Sequence, residues 1–189
     1  MHRADGSGTT YIFSDYLTKV SPAWATRVGT GRSLHWPAGY AADGNPGVVA
    51  AISRIPYSIG YVERSYTAGT SVNSAAIRNQ AGQYVTPTSA AIAADAAARP
   101  AITPDDFSIV NQPGPGAYPI SGYSWVLVSA RQPDTTTGQA LTALISWLTR
   151  DGQSYAATLG YVPLPPAIQQ LAATALARVT GPDGTSLTG

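Results

Sequence analysis

The strongest constraint on the fold is that segments of helical periodicity alternate with short apolar runs along this chain of 189 residues. Apolar residues recur at helical spacing in five segments. These predicted helices lie at about 9–20, within 43–55, and at 86–99, 138–150 and 166–179. The predicted strands are 33–39, 57–62, two arms of a hairpin at 74–85, and a buried strand at 124–128. Helices that alternate with strands predict an α/β fold.

Composition excludes several classes of protein. Hydrophobic residues make up 44% of the chain, which is enough to form a core, while charged residues make up only 11%. The net charge is +1, Lys19 is the only lysine and the arginines are scattered, which argues against a nucleic-acid partner. The absence of cysteine excludes disulfides and cysteine-ligated metals. No apolar run approaches the ~20 residues that span a bilayer, and the first residues lack the apolar core of a signal peptide.

The opening segment combines groups that suit an anion. Ser7, Gly8 and Thr9 lie where the first helix is predicted to begin. The first N–H groups of a helix lack intrahelical partners and carry partial positive charge, and glycine lets an anion approach the backbone. Arg3 adds a planar fork of donors, which Asp5 can hold in place by pairing with it. The pattern predicts an oxyanion cradle without a metal, and the alternative is a plain helix cap beside a surface ion pair.

Metal and hydrolase chemistry are disfavoured by the same segment. His2 and His35 are the only histidines, and two histidines so far apart make a poor metal site in a chain without cysteine. A nucleophile at Ser7 with His2 and Asp5 would lie in one short loop without an evident nucleophile–base geometry. The serine also lacks the Gly-x-Ser-x-Gly spacing of a nucleophile elbow. We therefore expect no enzyme activity, no metal and no cofactor.

Other motifs are interpreted as structural. The glycine-rich run from Asp43 to Gly47 lacks the lysine of a phosphate-binding P-loop, so it is interpreted as a turn, with Asn45 as the N-cap of a helix. Tyr57, Tyr61 and Tyr66 are assigned to packing rather than to a ligand. The polar, glycine-rich end at 180–189 is expected to be frayed.

Several segments in one order resemble the phosphate-binding components of bacterial phosphate ABC transporters, the PstS type. The first and most specific begins at Arg3 and contains the Arg-x-Asp-x-Ser-Gly-Thr pattern. The segments are RADGSGTTYIFSDYLTKVSPAW, SLHWPAGYAADGNPGVVAAI, SIGYVERSY, AYPISGYSWVLV and GQSYAATLGYVPLP. Collinear motifs of this kind are more specific than a single glycine pattern, and together they cover about residues 2–166.

The resemblance implies a type II periplasmic-binding-protein fold, in which two α/β lobes close over a dehydrated anion. It implies that Arg3, Ser7, Gly8 and Thr9 contact phosphate and that Asp5 orients Arg3 without touching the ligand. It also implies an extracytoplasmic location (periplasm or cell-envelope surface). The complete protein would deliver inorganic phosphate to a membrane permease driven by an ATPase, with no chemistry on the ligand.

The resemblance also implies a division of the chain between the lobes. Residues 1–118 would form most of the second lobe, and 119–189 would form the hinge return and the C-terminal part of the first lobe. The family's first lobe begins upstream of the arginine motif and supplies the other half of the site, including an aspartate that discriminates phosphate from sulfate. We therefore expect a partial chain that is the C-terminal portion of a longer receptor.

A partial chain has consequences of its own. Apolar surface should be exposed in the region 119–189, for example at Trp147 and Leu148, and such surface favours self-association. Binding should be weak, because each hydrogen bond lost to a charged ligand costs roughly 1.5–3 kcal/mol. The alternatives are another oxyanion such as sulfate, a surface or structural domain of the same fold, and a phosphoester hydrolase.

Overall fold

The computed structural model describes residues 1–103 and 105–188, which divide into two compact units. The first unit spans Met1–Ser124 and the second begins at Trp125. Helices and short strands are mixed along the chain, in agreement with the predicted α/β class. Among the residues described, no helix is both long and apolar enough to cross a membrane. The assignment of 1–118 and 119–189 to two lobes stays a prediction.

The helices of the first unit begin where polar residues precede apolar ones. They are α1 (Gly8–Val20), α2 (Pro22–Arg27), α3 (Gly44–Arg54), α4 (Ser89–Ala97) and a 3-10 helix at Arg64–Thr67. The side chains of Ser7, Ser21 and Thr88 cap α1, α2 and α4 by accepting a backbone N–H in the first turn. These hydroxyls replace the partners that the first N–H groups of a helix lack. The predicted helices therefore form with bounds close to those expected.

Two pairs of short strands lie in the first unit. Strand β1 (His2–Arg3) pairs in parallel with β2 (Ala41–Ala42), with Arg3 opposite Ala42. Strands β3 (Ile77–Arg78) and β4 (Tyr84–Val85) form the predicted antiparallel hairpin. Because β1 and β2 are parallel, the segments that follow them leave from the same edge, and that edge carries the start of α3.

Two of the predicted strands are wrong. Residues 33–39 and 57–62 form no strand, although both contain aromatic side chains that pack. The ring of Tyr61 stacks on Phe13, with centroids 4.5 Å apart, and on Trp36, with centroids 5.6 Å apart. Aromatic stacking of this kind stabilises an apolar segment without a hydrogen-bonded ladder. One aromatic side chain of each segment therefore packs, whereas most of the other residues are exposed and neither segment pairs as a strand.

The second unit is built around two helices, α5 (Thr135–Thr149) and α6 (Pro166–Leu176), with a 3-10 helix at Asp151–Tyr155. Its core consists of Ile145, Leu176, Val179 and Leu187, and partly buried Val128 and Leu141 pack against it. The prediction of a frayed tail is wrong. Leu187 is buried, and its N–H donates to the carbonyl of Val179 at 3.1 Å, so the segment 180–188 closes the core, while residue 189 of the predicted tail lies outside the described residues.

The predicted buried strand at 124–128 is also wrong. These residues form no strand, and Leu127 is 96% exposed. Trp147 and Leu148 on α5 are exposed, as predicted, and Leu144 on the same helix is exposed with them. Apolar surface on the second unit is therefore extensive. Its further large members are Trp125, Val126, Tyr155, Leu159, Tyr161 and Leu171.

Candidate anion-binding site

Arg3 is the last residue of β1, and its guanidinium contacts two side chains. Its Nε donates to Asp5 Oδ1 at 2.7 Å and its Nη2 donates to Asp5 Oδ2 at 2.5 Å, which is a bidentate pair. Its Nη1 donates to Asn45 Oδ1 at 3.0 Å. The backbone N–H of Gly44 donates to Asp5 Oδ1 at 3.2 Å. The contacts within the described chain thus use three of the five N–H donors of Arg3 and leave two.

The pairing keeps both groups ionised. The hydrogen bond to Asp5 raises the pKa of Arg3 against the opposing effect of burial. The hydrogen bond from Arg3 and the one from the Gly44 backbone hold the pKa of Asp5 well below its usual range. The pair therefore carries no net charge at neutral pH, and the attraction for an anion must come from the remaining N–H donors and from the helix terminus.

The N-terminus of α1 supplies such donors. Ser7 is buried, and its hydroxyl accepts from the Thr10 N–H at 3.0 Å and donates to Thr10 Oγ1 at 2.8 Å. The N–H groups of Gly8 and Thr9 make no hydrogen bond within the described chain. Gly8 is exposed, and a Cβ built on it would meet nothing within 4 Å. The helix therefore begins with two available N–H donors beneath open space, as an anion requires.

The Tyr61 hydroxyl connects β1 to α1. It lies 2.7 Å from Thr10 Oγ1 and accepts a hydrogen bond from the Arg3 N–H at 3.1 Å. The prediction of packing is confirmed for Tyr61, which is buried among aromatic rings, and is wrong for Tyr57, which is fully exposed. No local sequence signal indicates the role of the Tyr61 hydroxyl, which fixes the strand that carries Arg3 against the helix that carries Gly8 and Thr9.

The prediction for Asn45 is wrong. The N-cap of α3 is Asp43, whose side chain makes no capping hydrogen bond, and Asn45 is the second residue of the helix, within its first turn. Asn45 is only 8% exposed and its amide oxygen faces Arg3. Its place soon after the end of β2 is the signal that could have revealed this role, because the residues that follow two parallel strands meet at one edge of the sheet.

Other candidate groups lie apart from this arrangement. The ring of His2 stacks on Trp36 with centroids 4.9 Å apart. Within residues 1–103 and 105–188, no group of three or more histidine, aspartate or glutamate side chains could hold a metal ion. A cavity of about 480 Å³ lies in the second unit, and none of the predicted site residues lines it. Its lining is Arg150, Asp151, Pro166, Gln169 and Gln170.

The predicted site residues are thus only partly brought together by contacts. Arg3 and Asp5 form a direct pair, and Ser7, Gly8 and Thr9 follow on the connection from β1 into α1. The Ser7 hydroxyl donates its hydrogen bond to Thr10 Oγ1, so in this arrangement it stabilises the first turn of the helix. Contact of these residues with an anion stays a prediction.

The family model described as a PBP superfamily domain matches residues 1–152. The chain is also similar to proteins named phosphate-binding protein PstS, which confirms the resemblance found in the sequence. The one from Xylella fastidiosa (strain Temecula1) is 40% identical over 168 residues, 88% of this chain and 46% of the relative. The one from Pasteurella multocida is 37% identical over 192 residues, which are 99% of this chain and 55% of the relative. The one from Methanocaldococcus jannaschii is 34% identical over 194 residues, which are 93% of this chain and 50% of the relative. The chain spans about half the length of these relatives.

Proposed function

The chain belongs to the PBP superfamily, and from that membership we propose that it binds inorganic phosphate as part of the solute-binding component of an ABC-type phosphate importer. One structural observation supports this proposal above the others. The α1 terminus presents the N–H groups of Gly8 and Thr9 beneath open space, directly after the strand whose last residue is the paired Arg3. The relatives are named phosphate-binding proteins, which supports phosphate as the anion.

Each site residue has a separate task in this proposal. The N–H groups of Gly8 and Thr9 donate to phosphate oxygens at the positive end of the helix dipole, with the Thr9 hydroxyl as a third donor. Arg3 contributes the two N–H groups that Asp5 and Asn45 leave available. Ser7 contacts phosphate if its hydroxyl turns away from Thr10, and otherwise holds the turn. Asp5 orients Arg3.

The ligand is bound and released without chemistry. We infer that the protein is not an enzyme, because the site offers hydrogen-bond donors and no nucleophile with an adjacent base. The longer receptor would act outside the cytoplasm and would pass phosphate to a membrane permease coupled to an ATPase. Residues 1–118 and 119–189 would belong to its two different lobes.

The proposal is tested by calorimetric titration of the full chain with phosphate and then with sulfate. Because part of the site lies on a lobe outside this chain in the proposal, we expect dissociation constants in the millimolar range, on the order of −4 kcal/mol of binding free energy. Arg3→Ala should weaken phosphate binding about tenfold or more. Arg27→Ala, at the end of α2, removes an arginine outside the site and should change nothing.

Three results would contradict the proposal. Equal losses in Arg3→Ala and Arg27→Ala would show that phosphate responds only to total charge. Sulfate binding much tighter than phosphate binding would favour the other oxyanion. Release of nitrophenol from a chromogenic phosphate ester would show a hydrolase.

A further inference from the structure

We propose that Asn45 is a positioning residue for the anion site, which fixes the Arg3 guanidinium in its pairing with Asp5. The two side chains meet through Arg3 Nη1 and Asn45 Oδ1, 3.0 Å apart. The ligand in this inference rests on the proposed function, whereas the contact between Arg3 and Asn45 does not.

The chemistry of the two groups fixes the direction of the contact. A guanidinium donates hydrogen bonds and accepts none, so the Asn45 amide must present its oxygen to Arg3. Asp5 takes the Nε and Nη2 donors, and Asn45 takes a donor on the remaining nitrogen. All three nitrogens of the guanidinium are therefore engaged, and its plane is defined by two separate residues.

The two contacts differ in how rigidly they are held. The Asp5 side chain is 46% exposed and lies on the short connection between β1 and α1. Asn45 is 8% exposed and lies in the first turn of α3. An arginine side chain loses much rotamer freedom when it is ordered, and a partner on a helix fixes it better than a partner on a loop. We infer that Asn45 sets the orientation and that Asp5 follows it.

The fold explains why α3 reaches Arg3. Arg3 pairs with Ala42 at the end of two parallel strands, and α3 begins at Gly44, two residues beyond Ala42. Gly44 has a φ of +63°, a conformation that favours glycine, and its N–H donates to Asp5. The first turn of α3 thus contacts both members of the ion pair.

A double-mutant cycle with phosphate tests the inference. We expect Asn45→Ala to weaken phosphate binding roughly three- to thirtyfold, and to cause no further loss in a chain that already carries Arg3→Ala. Asn79→Ala is the matched control, because Asn79 is equally buried but bonds the carbonyl groups of Gly114 and Ala117. It should lower stability without any coupling to Arg3. An equal loss from Asn45→Ala with and without Arg3 would overturn the inference.

A measurement without ligand separates this inference from the proposed function. Exchange of the Arg3 Nε–H with solvent, followed by NMR, should be several-fold faster in Asn45→Ala and unchanged in Asn79→Ala. Asn45→Asp keeps an oxygen acceptor at the same place and should restore slow exchange. Should Asn45→Ala fail to fold, Asn45→Ser is the second truncation, since its short side chain does not reach Arg3 Nη1.

The outcomes of that measurement are distinct. Faster exchange in a protein that does not bind phosphate would refute the proposed function and leave the positioning role intact. Unchanged exchange in the truncated variants would overturn the positioning role, even if the wild-type chain binds phosphate.

Discussion

The Ser7 hydroxyl accepts a hydrogen bond from the Thr10 N–H at 3.0 Å, and this contact closes the first turn of α1 while the N–H groups of Gly8 and Thr9 remain available. The sequence left two alternatives for this segment, a plain helix cap or an anion cradle. The geometry makes them compatible. Ser7 caps the helix, and the two residues after it keep their donors directed away from the protein's own acceptors.

Gly8→Ala separates binding from stability. The space above Gly8 is open and its φ is not positive, so an alanine fits without strain. We expect the free energy of unfolding to be unchanged or to rise by up to about 1 kcal/mol, because alanine favours helix. The added methyl group would occupy the space that an anion needs, so phosphate affinity should fall about tenfold. Calorimetry and denaturant titration check the two effects.

Gly47→Ala is the control for that variant. Gly47 lies in α3 and an added Cβ would make only ordinary contacts, the nearest at 3.5 Å from the Ala42 backbone. The free energy of unfolding of Gly47→Ala should rise as in Gly8→Ala, but its phosphate affinity should equal that of the wild-type protein. Equal affinity in both variants would place the anion elsewhere.

Asp95 predicts a dependence of stability on pH. It is fully buried on α4, its Oδ1 accepts the Gln112 N–H at 3.1 Å, and its Oδ2 makes no hydrogen bond in the described chain. Burial raises the pKa of Asp95 to about 7, against the effects of the hydrogen bond from Gln112 and of the charge of Lys19. The folded state therefore holds a proton that the unfolded chain releases above about pH 4. The free energy of unfolding should fall as pH rises from about 4 to 7, by up to about 1.4 kcal/mol per pH unit.

Asp95→Asn should remove that dependence. Thermal melts of the variant at pH 5 and pH 8 should give similar midpoints, whereas the wild-type midpoint should be lower at pH 8. Asp105→Asn, at an exposed carboxylate, serves as the control and should retain the wild-type difference. If the wild-type protein is equally stable at pH 5 and pH 8, Asp95 ionises in the folded state without lowering the free energy of unfolding, which would contradict this prediction.

The exposed apolar face of α5 predicts self-association. Leu144, Trp147 and Leu148 are each more than two-fifths exposed. Clustered apolar surface of this kind drives association in water. We expect sedimentation velocity to show concentration-dependent association, and we expect Leu144→Lys with Leu148→Lys to reduce it at little cost in stability. Ile145→Lys, at the neighbouring buried position, should instead unfold the second unit. A strictly monomeric wild-type chain would contradict this prediction.

The packing of the chain end predicts the effect of Gly138→Ala. A Cβ on Gly138 would clash with Leu187 Cδ1 and would lie 2.9 Å from Gln132 Cβ. We expect a loss of about 1–3 kcal/mol despite the higher helix propensity of alanine, because the core would be overpacked. Gly8→Ala is the matched change in open space. A neutral Gly138→Ala would show that Leu187 leaves the core easily, as a frayed tail would.

The sequence patterns predicted the helices better than the strands, of which only the hairpin at 74–85 forms as expected. In α1 and α5 the apolar spacing and the polar residue before the helix are local signals, so the sequence contains them. A strand also needs a partner with free N–H and C=O groups. The run 124–128 has the apolar composition of a buried strand but forms no strand, and Leu127 is exposed. Apolar composition alone therefore predicts neither the pairing nor the burial of such a run, because both depend on a partner elsewhere in the chain.

The site was predictable to the extent that its residues are neighbours in the chain. Arg3 and Asp5 pair within one short segment, and Ser7 caps the helix that follows. Asn45 and Tyr61 reach the same place from 42 and 58 residues away along the sequence. Their contribution depends on the parallel pairing of β1 with β2 and on the aromatic stack, which no local pattern specifies.

The aromatic stack has a practical consequence. Trp36 stacks on Tyr61, and the hydroxyl of Tyr61 bonds the backbone of Arg3. An anion that moves this strand would alter the surroundings of the Trp36 indole and hence its fluorescence. Trp125, which is 52% exposed in the second unit, would emit at longer wavelength as an internal reference. In the proposed function, Trp36 would therefore serve as an optical reporter of site occupancy that requires no added label.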